Sequence, residues 1–309
     1  MTHSVVSATN FDFESYDAGV SSITWENAML FAVHISDGVL NSTFCLLGWL
    51  PALVLVAFGC WRITDAEIPR IGVMTAAFFV ASQIHLPIAG VSTAHLLLNG
   101  LMGVILGRRA IVAIAVGLFL QALLFGHGGL TVLGVNITVY TIPAIAAGFC
   151  VRPLRQSRLL HRRFVRFGVA TATGAIWLAT LVAAIQWVHA ILIGDGTLPK
   201  SVTELWLCDP SVLIGVGLAA LLFGAAEQWI EPNPDYPIGA ILGGGTAYAT
   251  ILLNVAALTI GGKEGIRDTA GVVLLANLPV VLVESVAVGF VVAFLARAKP
   301  EWLGGPTRV

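Results

Sequence analysis

The chain has 309 residues, of which 57% are hydrophobic and only 11% charged, with a mean hydropathy of +0.90 and a net charge of -1. Soluble domains carry about 25% charged residues, so an ordinary cytosolic enzyme is excluded. So are a disordered chain and a nucleic-acid binder, because there is no basic field. The composition describes an integral membrane protein with several spans. Four scattered cysteines without a CxxC exclude a disulfide framework. Three of them lie in apolar runs, where a buried thiol is expected.

In chain order, residues 1–33 hold no Lys or Arg but include Asp12, Glu14, Asp17 and Glu26. They lack the positive n-region of a secretory signal. They read as a polar, acidic N-terminal extension, one that processing or a later start would remove. Apolar helical runs follow at 39–61, 71–86, 93–107, 109–125, 135–151, 165–194, 211–230, 237–260 and 269–296. A span needs about 20 helical residues. The second and third runs are short for that, so seven to nine helices are expected. Long runs rich in Leu, Ala and Gly suit helices rather than the alternating strands of a barrel. The fold class is all-α, a polytopic membrane helix bundle in the cell membrane.

Thirteen of the 16 Lys and Arg residues fall in alternate loops, from Arg62 and Arg70 through Arg108, Arg109 and the 152–166 segment to Arg297, Lys299 and Arg308. The positive-inside rule then places the N-terminus outside and the C-terminus in the cytoplasm. Only Lys200, Lys263 and Arg267 remain for the outer face.

On that topology five histidines, His34, His85, His95, His127 and His189, collect at the outer ends of helices. Neutral imidazole is the commonest transition-metal ligand, and ionisable groups at membrane depth mark ion or substrate paths. His34 and Asp37 are three residues apart where the chain enters the bundle. Ser92 and Thr93 are good N-caps and put His95 in the first turn of the third helix. Asn99, four residues on, would either orient that imidazole or bond between helices. Gly126-His127-Gly128-Gly129 is a tight non-helical loop, flanked by Gln121 and Asn136 as candidate pins. Glu227 and Glu284 lie within helices and each needs a partner there.

Several chemistries lack their motifs. Gly261-Gly262-Lys263 is followed by Glu264, not by the Ser or Thr of a nucleotide-binding P-loop. There is no HExxH and no GxSxG. Binding and transport are therefore favoured over catalysis.

Three blocks resemble the CbiM/NikM family, the substrate-binding (S) components of energy-coupling-factor transporters for cobalt and nickel. They are His34-Ile-Ser-Asp-Gly-Val-Leu40, Gly90-Val-Ser-Thr-Ala-His95 and Gln121-Ala-Leu-Leu-Phe-Gly-His-Gly-Gly-Leu-Thr-Val-Leu-Gly-Val-Asn136. The likeness covers residues 33–150, with a looser match over 270–303 that includes Glu284. Residues 195–260 have no counterpart.

The resemblance implies capture of Co(II) or Ni(II) at the outer face, by His34, His95 and an N-terminal amine at the place of Val33. An all-nitrogen square-planar site suits Ni(II). Val33 is not the first residue of this sequence. Either its amine is exposed by processing or a later start, or His85 or His127 supplies the missing nitrogens with Asp37 as an oxygen ligand. Asn99, Gln121 and Asn136 would then support the ligands. Family members carry Asp at the place of His127, so extra imidazoles favour Co(II) or Zn(II).

On this reading 34–151 is the metal-binding membrane half, 152–166 a basic cytoplasmic loop and 167–309 the C-terminal membrane half. The implied partners are a transmembrane coupling (T) component, cytoplasmic ABC ATPase subunits and a small accessory membrane subunit. Two other functions are compatible with the same residues. One is an S component for an organic vitamin, which needs an aromatic-lined outer pocket. The other is a membrane metalloenzyme, which needs an acid or base at the metal, with Asp37 the obvious candidate.

Overall fold

A computed structural model of the chain describes residues 34–83, 85–88, 92–157, 162–192, 206–230, 235–263 and 270–303. The N-terminal extension, including Val33, lies outside the described residues. Nine α-helices occur among them: α1 Ser42–Cys60, α2 Ile68–Ala81, α3 Asn99–Leu106, α4 Ala110–Phe125, α5 Leu133–Gln156, α6 Arg163–Leu192, α7 Pro210–Ile230, α8 Asp235–Gly261 and α9 Ala270–Ala298. A two-stranded antiparallel ribbon, β1 His85–Ile88 and β2 Ser92–His95, stands between α2 and α3. Five helical stretches are long and apolar enough to cross a membrane: 42–60, 99–125, 133–156, 235–261 and 279–298. Many large apolar side chains face outward, such as Leu50, Val54, Leu222 and Phe294. In a membrane protein that surface is the lipid contact.

The helices run alternately between two ends. At one end Asn41 caps α1 by accepting from the Phe44 N–H at 2.8 Å, and its own side chain donates to the last residue of α8, Gly261 O, at 3.0 Å. Lys263 N–H meets Val39 O at 3.2 Å there. At the other end Arg155 pairs with Asp235 at 2.7 Å, joining α5 to α8. Arg109 closes the same end. Its five N–H donors go to both carboxylate oxygens of Glu67 and to the carbonyls of Gly59, Trp61 and Arg62. That fork ties off the C-terminus of α1 and fixes the turn into α2.

The 99–125 stretch is not one straight helix. Gly107, at φ +56°, reverses the chain, so α3 descends beside α5 and α4 climbs back. The descent is close. A Cβ on Gly103 would lie 1.8 Å from Ala144 O, so α3 and α5 pack backbone to backbone.

Two local expectations are corrected. The stretch 93–107 is helical only from Asn99. Ser92 and Thr93 belong to strand β2, and His95 ends that strand rather than opening a helix. The physical reason is a distant acceptor. The Glu284 carboxylate on α9 takes the N–H groups of Leu97 and Leu98, so these residues need no helix to satisfy them. The cysteines also differ. Cys45 is buried, but Cys60 and Cys150 are exposed, as is Cys208. An apolar run in a membrane helix faces lipid as readily as core, so hydropathy does not imply burial.

Candidate metal-binding site

The site begins where the chain enters the bundle. His34 and Ile35 are buried, at 5% and 3% exposure. Asn136, in the first turn of α5, holds the Ile35 peptide unit from both sides. Its Oδ1 accepts from Ile35 N–H at 3.2 Å and its Nδ2 donates to Ile35 O at 2.9 Å. One residue from this clasp, the His34 ring is fixed between two others. It stacks on His95 with centroids 4.6 Å apart and planes at 13°, and on Tyr140 at 4.8 Å and 10°. Phe78 meets the edge of Tyr140 at 6.4 Å.

His95 reaches this stack from the end of β2 and is itself 5% exposed. Its position is held by the turn that follows. Leu98 adopts φ +46°, a left-handed conformation that a branched residue adopts only at a cost. Glu284, fully buried, compensates by accepting the Leu98 N–H at 2.9 Å together with that of Leu97. An unpaired N–H at this depth would cost several kcal/mol, on the order of the transfer penalty of a peptide group.

The glycine loop closes over the entry. Gly126, Gly128 and Gly129 have φ of +67°, +84° and +86°, accessible to glycine without strain. Gly126 ends α4 by donating to Gln121 O, and His127 N–H reaches the same carbonyl at 3.2 Å. A Cβ on Gly128 would sit 3.6 Å from His34 Cβ, and one on Gly129 only 2.2 Å from the Asp37 carboxyl carbon. Asp37 accepts from Leu130 N–H at 3.1 Å and Thr131 N–H at 2.9 Å, and from the Thr131 hydroxyl. It fastens the loop to the entering segment.

Of the candidate residues, the structure thus brings His34 and His95 together, with Asn136 one peptide away. Asp37 is exposed and serves the loop. Gln121 is buried, its amide donating to Ser82 Oγ at 2.7 Å, so it joins α4 to the end of α2. Asn99 donates to Tyr140 O at 3.1 Å and Thr250 Oγ1 at 2.7 Å, bonding between helices. His127 is half-buried with its ring 6.4 Å from Phe125. His85 stands opposite His95 in the ribbon register. His189 lies in α6 and Glu227 in α7; these three side chains lie outside the described set. Among the described residues no three His, Cys, Asp or Glu side chains form a metal-binding group. Tyr140 is the residue that sequence reasoning missed. It lies four residues after Asn136, on the same helical face, which was a usable signal.

This fold is that of a multi-pass helical membrane protein with a buried imidazole pair at one end of the bundle. Residues 34–207 match the family model for the cobalt uptake substrate-specific transmembrane region, CbiM. That match spans more than half of the chain, which belongs to the CbiM family. A Haemophilus influenzae protein named for metal transport is 32% identical over 188 residues, 60% of this chain and 91% of its own length. An Archaeoglobus fulgidus protein named as a fused nickel transport protein is 27% identical over 263 residues, 80% and 85% of the two chains. A Methanosarcina barkeri protein named for cobalt transport is 30% identical over 210 residues, 62% and 87% of the two. The crystal structure of a transition metal transporter shares the fold at a TM-score of 0.50 and 19% identity, covering 86% of this chain and 93% of that one.

Proposed function

We propose that this chain is the substrate-capture subunit of an ATP-driven importer, binding Co(II) or Ni(II) as its cargo at the outer membrane face. The observation that carries this reading is the buried His34–His95 pair, held by backbone clasps from α5 and α9. Family membership and relatives named for nickel and cobalt transport favour a transporter over an enzyme. The outer placement is supported by charge. The arginine-rich end of the bundle is opposite the histidines, and arginine-rich ends face the cytoplasm. Partners of the T-component and ABC ATPase classes would supply the energy and reorient the protein for release.

His34 and His95 are the primary ligands on this reading. Two nearly parallel ring planes cannot both contain one ion, so joint ligation requires one ring to turn out of the stack. Tyr140 also stacks on His34, with its hydroxyl 3.5 Å from His34 Nε2, so the turn is assigned to His95. Further nitrogens would come from the His34 backbone or from an amine at Val33.

Equilibrium binding of Co(II), Ni(II) and Zn(II) to the purified full chain, wild type beside His95→Ala, tests this. Tight binding to wild type that collapses in the variant is expected. Equal binding by both would sink the site as drawn. Intact mass on the same sample reads whether a Val33 amine is available.

A further inference from the structure

At the end opposite the histidines, a cavity of about 490 Å³ opens among the first turn of α2, the Gly107 reversal, the last turns of α5 and the short turn Pro300–Leu303. Three guanidinium groups line it, Arg70, Arg108 and Arg152, against a single carboxylate, Glu301. Every other arginine whose role is evident at this end is consumed: Arg109 by Glu67 and Arg155 by Asp235. The cavity arginines are not. Among the described residues Arg108 and Arg152 make no hydrogen bond or ion pair, and Arg108 only approaches the Phe58 ring at 5.8 Å. Arg70 donates one nitrogen to the carbonyls of Ile105 and Trp302 and lies 4.8 Å from the Trp302 ring centroid. Its Nε is buried without an acceptor. Glu301 is partly engaged by Lys299, at 3.8 Å.

Three guanidinium groups against one carboxylate leave an excess of positive charge that selects an anion, and guanidinium matches phosphate oxygens in pairs. The remaining wall selects further. Phe149, on the α5 side of the cavity, is 68% exposed on the lipid-facing surface. A cationic floor beside an outward aromatic fits a molecule with a phosphate head and an apolar tail. Basic pockets between membrane helices at the arginine-rich interface hold anionic headgroups.

We infer that this cavity binds the headgroup of an anionic phospholipid, with Arg70, Arg108 and Arg152 on the phosphate and Phe149 against the acyl chain. The inference is independent of the metal reading.

Native mass spectrometry of the detergent-purified full chain, titrated with phosphatidylglycerol or phosphatidylcholine, tests it. One tightly retained phosphatidylglycerol is expected, with about tenfold weaker retention of phosphatidylcholine. The double variant R108Q/R152Q should lose that preference, while Arg62→Gln, a cation at the same end but outside the cavity, should keep it. Elution profile and melting temperature show that both variants are folded. Equal retention of the two lipids, or an unchanged preference in the double variant, overturns the inference. Displacement of the lipid by equimolar inorganic phosphate would make the site one for the free anion and overturn it as stated. Unchanged lipid retention with loss of co-purifying coupling subunits would make the cavity a protein-docking surface, with the same consequence.

Discussion

Glu284 and Leu97 lie 187 residues apart in sequence and meet in one hydrogen bond at the point where strand β2 gives way to helix α3. The same carboxylate oxygen holds Leu98. The turn that presents His95 is therefore written partly in α9.

Removing that acceptor leaves two buried N–H groups unpaired. Glu284→Ala should destabilise the protein by about 3 kcal/mol, from roughly 1–3 kcal/mol per orphaned group. Glu284→Gln keeps an acceptor oxygen in place and should retain most of the stability. Thermal melts of both variants in detergent separate the two effects. Equal loss in both would refute the role of the oxygen as an acceptor.

Asn136 acts on the other histidine. Asn136→Ala frees the Ile35 peptide, and the affinity for Co(II) or Ni(II) should fall by roughly 10–100-fold, as for other ligand-supporting residues. Asn136→Asp keeps the acceptor for Ile35 N–H but not the donor, so an intermediate loss is expected. Metal titration checks both, and an unchanged affinity in the alanine variant would detach the clasp from the site.

Gly103→Ala puts a methyl group 1.8 Å from Ala144 O, and neither backbone can yield without separating α3 from α5. A loss above about 3 kcal/mol is expected, the range of severe overpacking. Gly72→Ala meets nothing within 4 Å and should change stability by less than about 0.5 kcal/mol. The yield of monodisperse protein reports the contrast.

The Glu67–Arg109 pair predicts a pH dependence. Hydrogen bonds from the Arg109 guanidinium, and then from Thr64, hold the Glu67 carboxyl down at about 2, against its ordinary 4.5. A depressed carboxyl contributes stability that is complete above its unfolded value and is lost as pH falls toward the folded one. The melting-temperature gap between wild type and Glu67→Gln should be constant above pH 4.5 and close between 4.5 and about 2. A gap that persists below that window would mean that the carboxylate charge is not its source.

Much of this architecture was legible because a membrane helix needs a long apolar run, and α1, α5, α8 and α9 each have one. The non-helical glycine loop was legible from local chemistry, whereas the Asn136 clasp on the Ile35 peptide was not. The extended stretch before α3 was not. Residues 93–107 are mostly apolar, and a buried apolar run reads alike as strand or helix. What decides between them is the carboxylate of Glu284, remote in sequence. The histidines could be grouped by the end of the bundle they occupy. That His34 and His95 would stack while His127 stayed apart depends on the left-handed Leu98 and on Tyr140, which no periodicity encodes.

The uneven burial of the cysteines has a practical consequence. Cys208 lies before α7, beside the half of α6 that carries Gln186, whose side chain accepts from Trp206 N–H, and so belongs to the histidine end. Cys60 closes α1 at the arginine end. Both thiols are exposed. The wild-type chain thus carries a chemical reporter on each side. A membrane-impermeant maleimide applied to intact cells should label Cys208 and spare Cys60, and inverted vesicles should reverse that pattern. The direction in which the protein sits in its bilayer can be read without adding a single residue.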